Sequence, residues 1–415
     1  MTTIGGPAMD PRIDSREAWS IAVASLFILA VSFGSPHITN VGLKHIAADL
    51  GGQRSIPSGA YALAWFGTGV GGLVMGWLAD RYGVRWTVMA GATMVCLGLA
   101  ISSQGDAMQL LVGHGLFVGL LGNAGINAPL YIYVTRWFER RRGTAVALIA
   151  SGQYLAGAFW PPLFERAIAY YGWRQTMLGF GFIIAALVLP LAAIFLKLPP
   201  KLPEPTASAR AAAASDEVLG LPKEVAFGLL AFASFLCCIP MAMPQAHLIA
   251  LCGDLGIAAS RGAVMLSVLL SCAFFSRQFW GWLSDRIGGL ATLVVCSAAQ
   301  AAAILAFLVT QDEAGLFFVS AAFGLGFSGL IPAYIVTARQ FFPAHDASWR
   351  MPILLLTGTT GMAAGGWSAG IIYDQFGSYA PAFGTGLVAN LVNFIILAGL
   401  LTRGRSSRRG IPATA

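Results

Sequence analysis

Between Arg261 and Asp285 the chain carries a single charged side chain, Arg277. An arginine does not give up its proton, so in apolar surroundings it must meet anions, carbonyls or water. Setting one at the centre of a membrane helix costs about 2.5–3.5 kcal/mol even on a mild insertion scale. Its planar guanidinium is shaped to grip a carboxylate through two parallel hydrogen bonds. Two roles are open: a grip on an incoming anion, or a permanent salt bridge to a buried acid. The uncharged stretches contain no Asp or Glu that could supply that acid, which favours the first.

Histidines, unlike arginine, change charge near neutral pH. His37, after Pro36, can carry a proton and still pair with an anion, or can be a neutral, hydrogen-bonded residue at a helix end. His247, after Pro244 and Gln245, is a second proton-coupling candidate, and His114, among small residues, reads as packing. Polar and aromatic residues lie in the same apolar stretches: Asn123, Asn127, Tyr131, Gln153, Tyr154, Trp160, Tyr334, Thr359, Thr360 and Trp367. In hydrocarbon such groups face protein or a cavity. As a set they describe an amphipathic pocket for a small anion with an apolar body; singly, each can equally be an interhelical contact. One fixed cation favours a monoanion over a dianion, unless His37 is charged. No catalytic triad, carboxylate pair or metal cluster falls in these stretches, so an enzyme is not indicated. No P-loop is present, ATP is not implied, and no cofactor is expected.

The elements that must position these residues are read from the spacing of charge. Uncharged runs cover 18–43, 55–79, 86–105, 107–135, 143–164, 175–196, 225–253, 262–284, 287–311, 314–338, 351–373 and 375–402, with Arg277 the one interruption. Charged residues make up only 10% of the chain, too few to cover a soluble surface of this size. A bilayer core about 30 Å thick needs about 20 apolar residues in a helix, and every run is long enough. The fold class is therefore an all-α membrane protein of twelve transmembrane helices. Of 25 basic residues, 19 fall in loops on one side and only Lys44, Arg54, Arg166, Arg174 and Arg261 on the other. By the positive-inside rule both termini are expected in the cytoplasm. The net charge of +7 is thus topological, and nucleic acid is not an expected partner. The lipid bilayer is. Six cysteines lack metal-ligand spacing and read as small helix residues. The first run lacks a cleavage site of the A-x-A type, so it is expected to serve as its own insertion signal.

A polar, proline-containing segment divides the chain. The expected organisation is a cytoplasmic tail (1–17), a six-helix bundle (18–196), a cytoplasmic linker (197–224), a second six-helix bundle (225–402) and a tail (403–415). The halves resemble each other: GWLADRYG at 76–83 returns as GWLSDRIG at 281–288. Gly76 and Gly281 would let neighbouring helices approach, and Asp80 and Asp285 can meet a helix N-terminus or an arginine of another loop. Gly67, Gly69, Gly71 and Gly72 are expected at close helix contacts rather than in a nucleotide-binding turn. Internal duplication with a site between the halves is a transporter architecture.

The repeated motif, Gly76, Asp80, Arg81, Gly83 and Arg85 with Gly281, Asp285, Arg286 and Gly288, resembles the signature loop of the major facilitator superfamily. The segment 137–145, WFERRRGTA, resembles the monocarboxylate-transporter-like branch, which includes oxalate/formate antiporter-like proteins. Gly172-Trp173-Arg174, His247-Leu248 and Gly370 through Tyr379 fit the same branch. The resemblance implies the major facilitator fold, a monomer, alternating access between two halves, and a gating role for the signature loops. It implies that Arg277 binds a substrate carboxylate and that His37 stands where animal members carry a lysine. Many proton-coupled members carry an acid or amide where this chain has Ala273, so an acid relay through that helix is not expected. The oxalate type carries a second intramembrane cation, which 351–373 lacks. The expected function is proton symport of a small organic monocarboxylate across a bacterial inner membrane. The alternatives are anion exchange or export on the same fold, or a membrane sensor.

Overall fold

A computed structural model shows a bundle of long helices; the structure describes residues 10–199, 217–342 and 344–409. Ten helical stretches among them are long and apolar enough to cross a membrane. One, Gly143–Phe195, runs 53 residues. A continuous helix of that length would be about 80 Å, more than twice a bilayer core. It breaks at Gly172, whose φ of 76° and ψ of 163° are open to glycine. Two crossings result, 143–171 and 173–195. The helix Ala344–Phe376 contains the uncharged run 351–373 and completes twelve. In chain order the spans are Arg16–Val41, Ser55–Tyr82, Val84–Ser103, Ala107–Thr135, these two crossings, Lys223–Asp254, Ala259–Ile287, Gly289–Val309, Glu313–Phe341, Ala344–Phe376 and Ala380–Gly404. We number them one to twelve. Much of the expected linker and the ends of both tails lie outside the described residues. The linker's last residues pair as a short antiparallel hairpin, Glu217–Val218 with Leu221–Pro222.

Two spans depart from a regular helix, and both departures place candidate residues. Span one stops at Ser32, turns through Phe33 and Gly34, and resumes as Ser35–Val41 with Pro36 in its first turn. Proline is pre-shaped for that position. A side chain at Gly34 would overlap Phe180 and lie 2.8 Å from Trp160, so glycine is required there. The second segment carries His37. Span four has an 11-residue π-helical stretch, Gly113–Asn123, between two α-helical pieces. Its wider turns rotate the second α-helical piece relative to an uninterrupted α-helix. Asn123 ends the stretch.

Glycines set how closely the spans meet. Gly67 and Gly71 of span two lie against the π-helical backbone, where a methyl at Gly67 would stand 2.6 Å from the Gly115 carbonyl oxygen. Gly69 faces Thr359, while Gly72 makes only ordinary contact with Ala128, 3.5 Å away. Tyr61 meets Gly366 and Ser58 meets Gly370, continuing the seam between spans two and eleven. Gly157 of span five lies against Leu270 of span eight. The close approach expected at Gly281 is not found: a methyl there would meet nothing within 4 Å.

Ion pairs sort into the two ends that the charge distribution defined. Arg54 and Lys44 pair with Asp254, Arg174 with Asp49 and Arg261 with Glu313 at one end. Arg136 pairs with Asp80, Lys197 with Glu17 and Arg350 with Glu224 at the other.

Candidate functional site

Arg277 lies on span eight and is only 7% exposed. Its guanidinium carbon stands 4.4 Å above the ring of Tyr154 on span five, in the opposite half. Nη2 donates to Tyr154 Oη at 3.3 Å. Nε and Nη1 are buried without a hydrogen-bond partner among the described residues. Tyr154 in turn packs edge-on against Phe327 of span ten, ring centres 5.8 Å apart. Tyr131 of span four lies near both. A buried cation stacked on an aromatic ring, with two donors uncommitted, can take an anion at the edges that carry those donors.

His37 lies on the same seam. It is 6% exposed, and its Nδ1 is buried without a partner among the described residues. A methyl at Gly157 would stand 3.0 Å from its Nε2, and Gly157 is one turn from Tyr154. The imidazole is therefore displaced from the Arg277 level by about 5 Å along span five, toward the Arg54 end. Asn123 donates to Ser35 Oγ at 3.4 Å, leaving its own Oδ1 without a partner among the described residues. Gln153 donates to Asn127 Oδ1 at 3.3 Å, joining spans four and five beside Tyr154. Thr359 and Thr360 both donate back to the Leu356 carbonyl, at 3.0 and 2.8 Å.

Other candidates are turned elsewhere. Tyr334 donates to Asn393 Oδ1 at 2.8 Å, inside a network with Asn390, Ser297 and Gln300 that belongs to the second half alone. Trp160 donates to the Ala30 carbonyl and stacks on Phe164, a packing role. Trp367 is 50% exposed and lies against Gly59, two turns from the Arg54 end. His114 pairs with Ser102 between spans three and four, as packing requires. The signature loops hold their own halves: Asp80 pairs with Arg136, Arg85 donates to the Leu196 carbonyl, and Arg81 and Arg286 lie over Trp77 and Trp282. Gly83 and Gly288 make the turns with φ of 90° and 86°.

Sequence reading passed over a second constellation, because its members look like ordinary loop charges. Arg54 grips Asp254 with both Nη atoms, at 2.5 and 2.6 Å, and donates to Tyr379 Oη at 2.9 Å. Its guanidinium stacks 3.6 Å from the Tyr373 ring. Burial opposes the charge of Arg54, but Asp254 and Tyr379 outweigh it and hold the proton more firmly than usual. Asp374 accepts from the backbone N–H of Arg54 and Ser55, at 2.8 and 2.9 Å, capping span two. His247 sits beneath, bonded to Tyr379 and to the Gly366 carbonyl. These contacts tie the halves together, so the structure is the state closed at the Arg54 end. The visible signals were His247 and the segment from Gly370 through Tyr379, which supplies three of these residues. A cleft of about 300 Å³ beside this cluster, walled by Lys44, His45, Ile249 and Gly253, does not include Arg277.

Twelve spans in two halves that meet along glycine-lined seams, with a buried cation between them that has no acid partner among the described residues, define a membrane transporter of the two-bundle class. The family model of the Major Facilitator Superfamily matches residues 22–246 and 230–415, and the chain belongs to that superfamily. Monocarboxylate transporter 13 of Bos taurus is 25% identical over 92% of this chain and 91% of its own. Monocarboxylate transporter 11 of Homo sapiens is 27% identical over 95% of this chain and 77% of its own. These relatives support the monocarboxylate-transporter-like branch. A solved structure of the peptide transporter POT in complex with sulfate superposes with a TM-score of 0.71, at 16% identity, covering 93% of this chain and 95% of that one. It bears on the fold alone.

Proposed function

We propose that the chain moves a small organic monocarboxylate across a membrane by alternating access of its two halves, coupled to a proton. The reading is carried by Arg277: a buried guanidinium with no acid partner among the described residues, held by a tyrosine of the opposite half. A carboxylate bridging Nη2 with either Nε or Nη1 would satisfy an orphan donor through two parallel bonds and neutralise the charge in one contact. The relatives named monocarboxylate transporters support the same cargo class. His37, one turn away and without an acid partner among the described residues, is the group placed to take a proton as the anion arrives. The basic end is read as cytoplasmic from the positive-inside rule. The two-bundle division at 197–224 supplies the moving parts, and the transporter works as a monomer.

Proteoliposomes under an inward proton gradient, offered a panel of labelled C2–C6 and aromatic monocarboxylates, test the proposal. Symport is supported by accumulation that collapses with a protonophore. Accumulation that needs a preloaded counter-anion and ignores pH would assign exchange instead. Arg277→Lys substitutes a point charge for a planar fork and is expected to raise KM at least tenfold. Unchanged transport by that variant would refute the carboxylate grip.

A further inference from the structure

We propose that the Arg54 cluster is the gate at its end of the transporter, and that the chain Asp254–Arg54–Tyr379–His247 makes this gate open on protonation of His247. The hydrogen-bond roles are set by chemistry alone. Arg54 has only donors, so Tyr379 Oη accepts from it, and beside a neutral imidazole it directs its own hydrogen to His247 Nδ1, 3.0 Å away. Nδ1 is therefore the accepting nitrogen. Nε2 carries the hydrogen and donates to the Gly366 carbonyl at 2.8 Å. In the closed gate the neutral imidazole thus has one defined tautomer.

A second proton has one place to go, Nδ1, where it would face the hydroxyl hydrogen of Tyr379. The hydroxyl must then rotate, and the contact persists only in reverse, with Nδ1–H donating to an Oη that already accepts from Arg54. The new imidazolium also faces the Arg54 guanidinium through that same hydroxyl. The remaining charged and titratable groups around it are known. Asp254 lies on the same span but is committed to Arg54 and Lys44. From span eleven Asp374 acts on the imidazole at a distance while its oxygens cap span two, and Tyr373 is covered by Arg54. From span two Tyr61 lies against Gly366. Among the described residues no acid contacts the ring, so the added charge is uncompensated and the closed arrangement is weakened. Because Lys44, Arg54 and Ser55 belong to one half and Asp254, Asp374 and Tyr379 to the other, it is the contact between the halves that loosens. His247 and Tyr379 act here as positioning residues, whatever the cargo.

Ser58 reports the state of the gate. It is 1% exposed, one turn below Arg54, and meets Gly370 across the seam. The full chain carrying Ser58→Cys, in lipid nanodiscs, is labelled with a hydrophilic maleimide at about pH 7.5 and 5.5, on either side of the ordinary histidine range. Rates are divided by those of a small free thiol at the same pH and corrected for labelling of the chain with Ser58 intact. The normalised rate is expected to rise roughly tenfold at the lower pH, the effect of a second positive charge set beside Arg54. Adding His247→Gln, or the gentler Tyr379→Phe, should abolish that rise. Adding Arg54→Ala should give fast labelling at both pH values. A pH response that survives both His247→Gln and Tyr379→Phe, or is absent from the start, overturns the sensor. Slow labelling with Arg54→Ala overturns the gate.

Discussion

Tyr154 offers a way to weigh the two contacts that hold Arg277. Its hydroxyl accepts from Nη2 at 3.3 Å, beyond the usual 2.7–3.2 Å range, so this bond is at the weak end. Tyr154→Phe removes only that bond and is expected to cost about 0.5 kcal/mol, close to a twofold rise in KM. The ring is the stronger partner. A desolvated guanidinium over an aromatic face is stabilised by about 2 kcal/mol, and here the separation is 4.4 Å. Tyr154→Leu loses the ring face and also the edge contact with Phe327, so KM should rise about thirtyfold or more. Initial uptake rates in proteoliposomes, using the best-transported acid of the panel, measure both variants against the parent. Melting temperatures of the purified variants separate a lost contact from a lost fold. If Phe is as damaging as Leu, the hydroxyl and not the ring positions Arg277, and the cation–ring account fails. If Leu leaves KM unchanged, Arg277 is not held by Tyr154 when cargo binds.

Three further outcomes are expected from the packing and from groups outside the spans. A methyl at Gly71 would overlap the Leu120 carbonyl and lie 2.7 Å from Ala124 Cβ, whereas at Gly72 it would make ordinary contact. Gly71→Ala should therefore cost about 1–3 kcal/mol in thermal unfolding, and Gly72→Ala less than about 0.5 kcal/mol. Asp14, at φ 55°, accepts from the backbone N–H of Glu139, Arg140 and Arg141, at 3.3, 3.0 and 3.3 Å. Asp14→Ala should lower the melting temperature more than Asp14→Asn, which tolerates the backbone and keeps an acceptor, by about 1 kcal/mol in free energy. Hydrogen bonds from Trp173 and Arg174 hold the Asp49 carboxyl below its ordinary pKa. A lowered folded-state pKa means stability that is present above the ordinary carboxylate value and lost as pH falls through the lowered one. Melting curves of the parent should thus fall below about pH 4, and Asp49→Asn should flatten that limb.

The span pattern was legible because charge spacing reports it directly: a charged side chain in hydrocarbon is costly enough that twelve uncharged runs mark twelve helices. Arg277 was legible for the same reason, as the exception. Which way a polar residue faces was not, since rotation about a helix is set by partners far away in sequence. Tyr334 and Arg277 look alike as polar groups in apolar runs, yet one is engaged by Asn393 within its own half and the other faces Tyr154. The π-helical stretch of span four adds a shift that no 3.6-residue period contains. The Arg54 cluster was hidden most completely. Its partners Asp254 and Asp374 lie 200 and 320 positions further along, and nothing local distinguishes a gate arginine from a topological one.

Arg54 and Arg277 show why the two arginines can serve different ends of one cycle. Each lies over a tyrosine ring and each bonds a tyrosine hydroxyl of the other half. Arg54 also has a resident carboxylate occupying both of its Nη atoms, so its charge is satisfied by the protein and is freed only by separating the halves. Arg277 has no such resident among the described residues, and its Nε and Nη1 can be satisfied only by something that arrives. An acid introduced beside Arg277 would turn the second case into the first and convert a binding residue into a latch. The absence of Asp and Glu from the apolar runs, more than the presence of arginine, is what supports the proposal of an anionic cargo at the centre of this molecule.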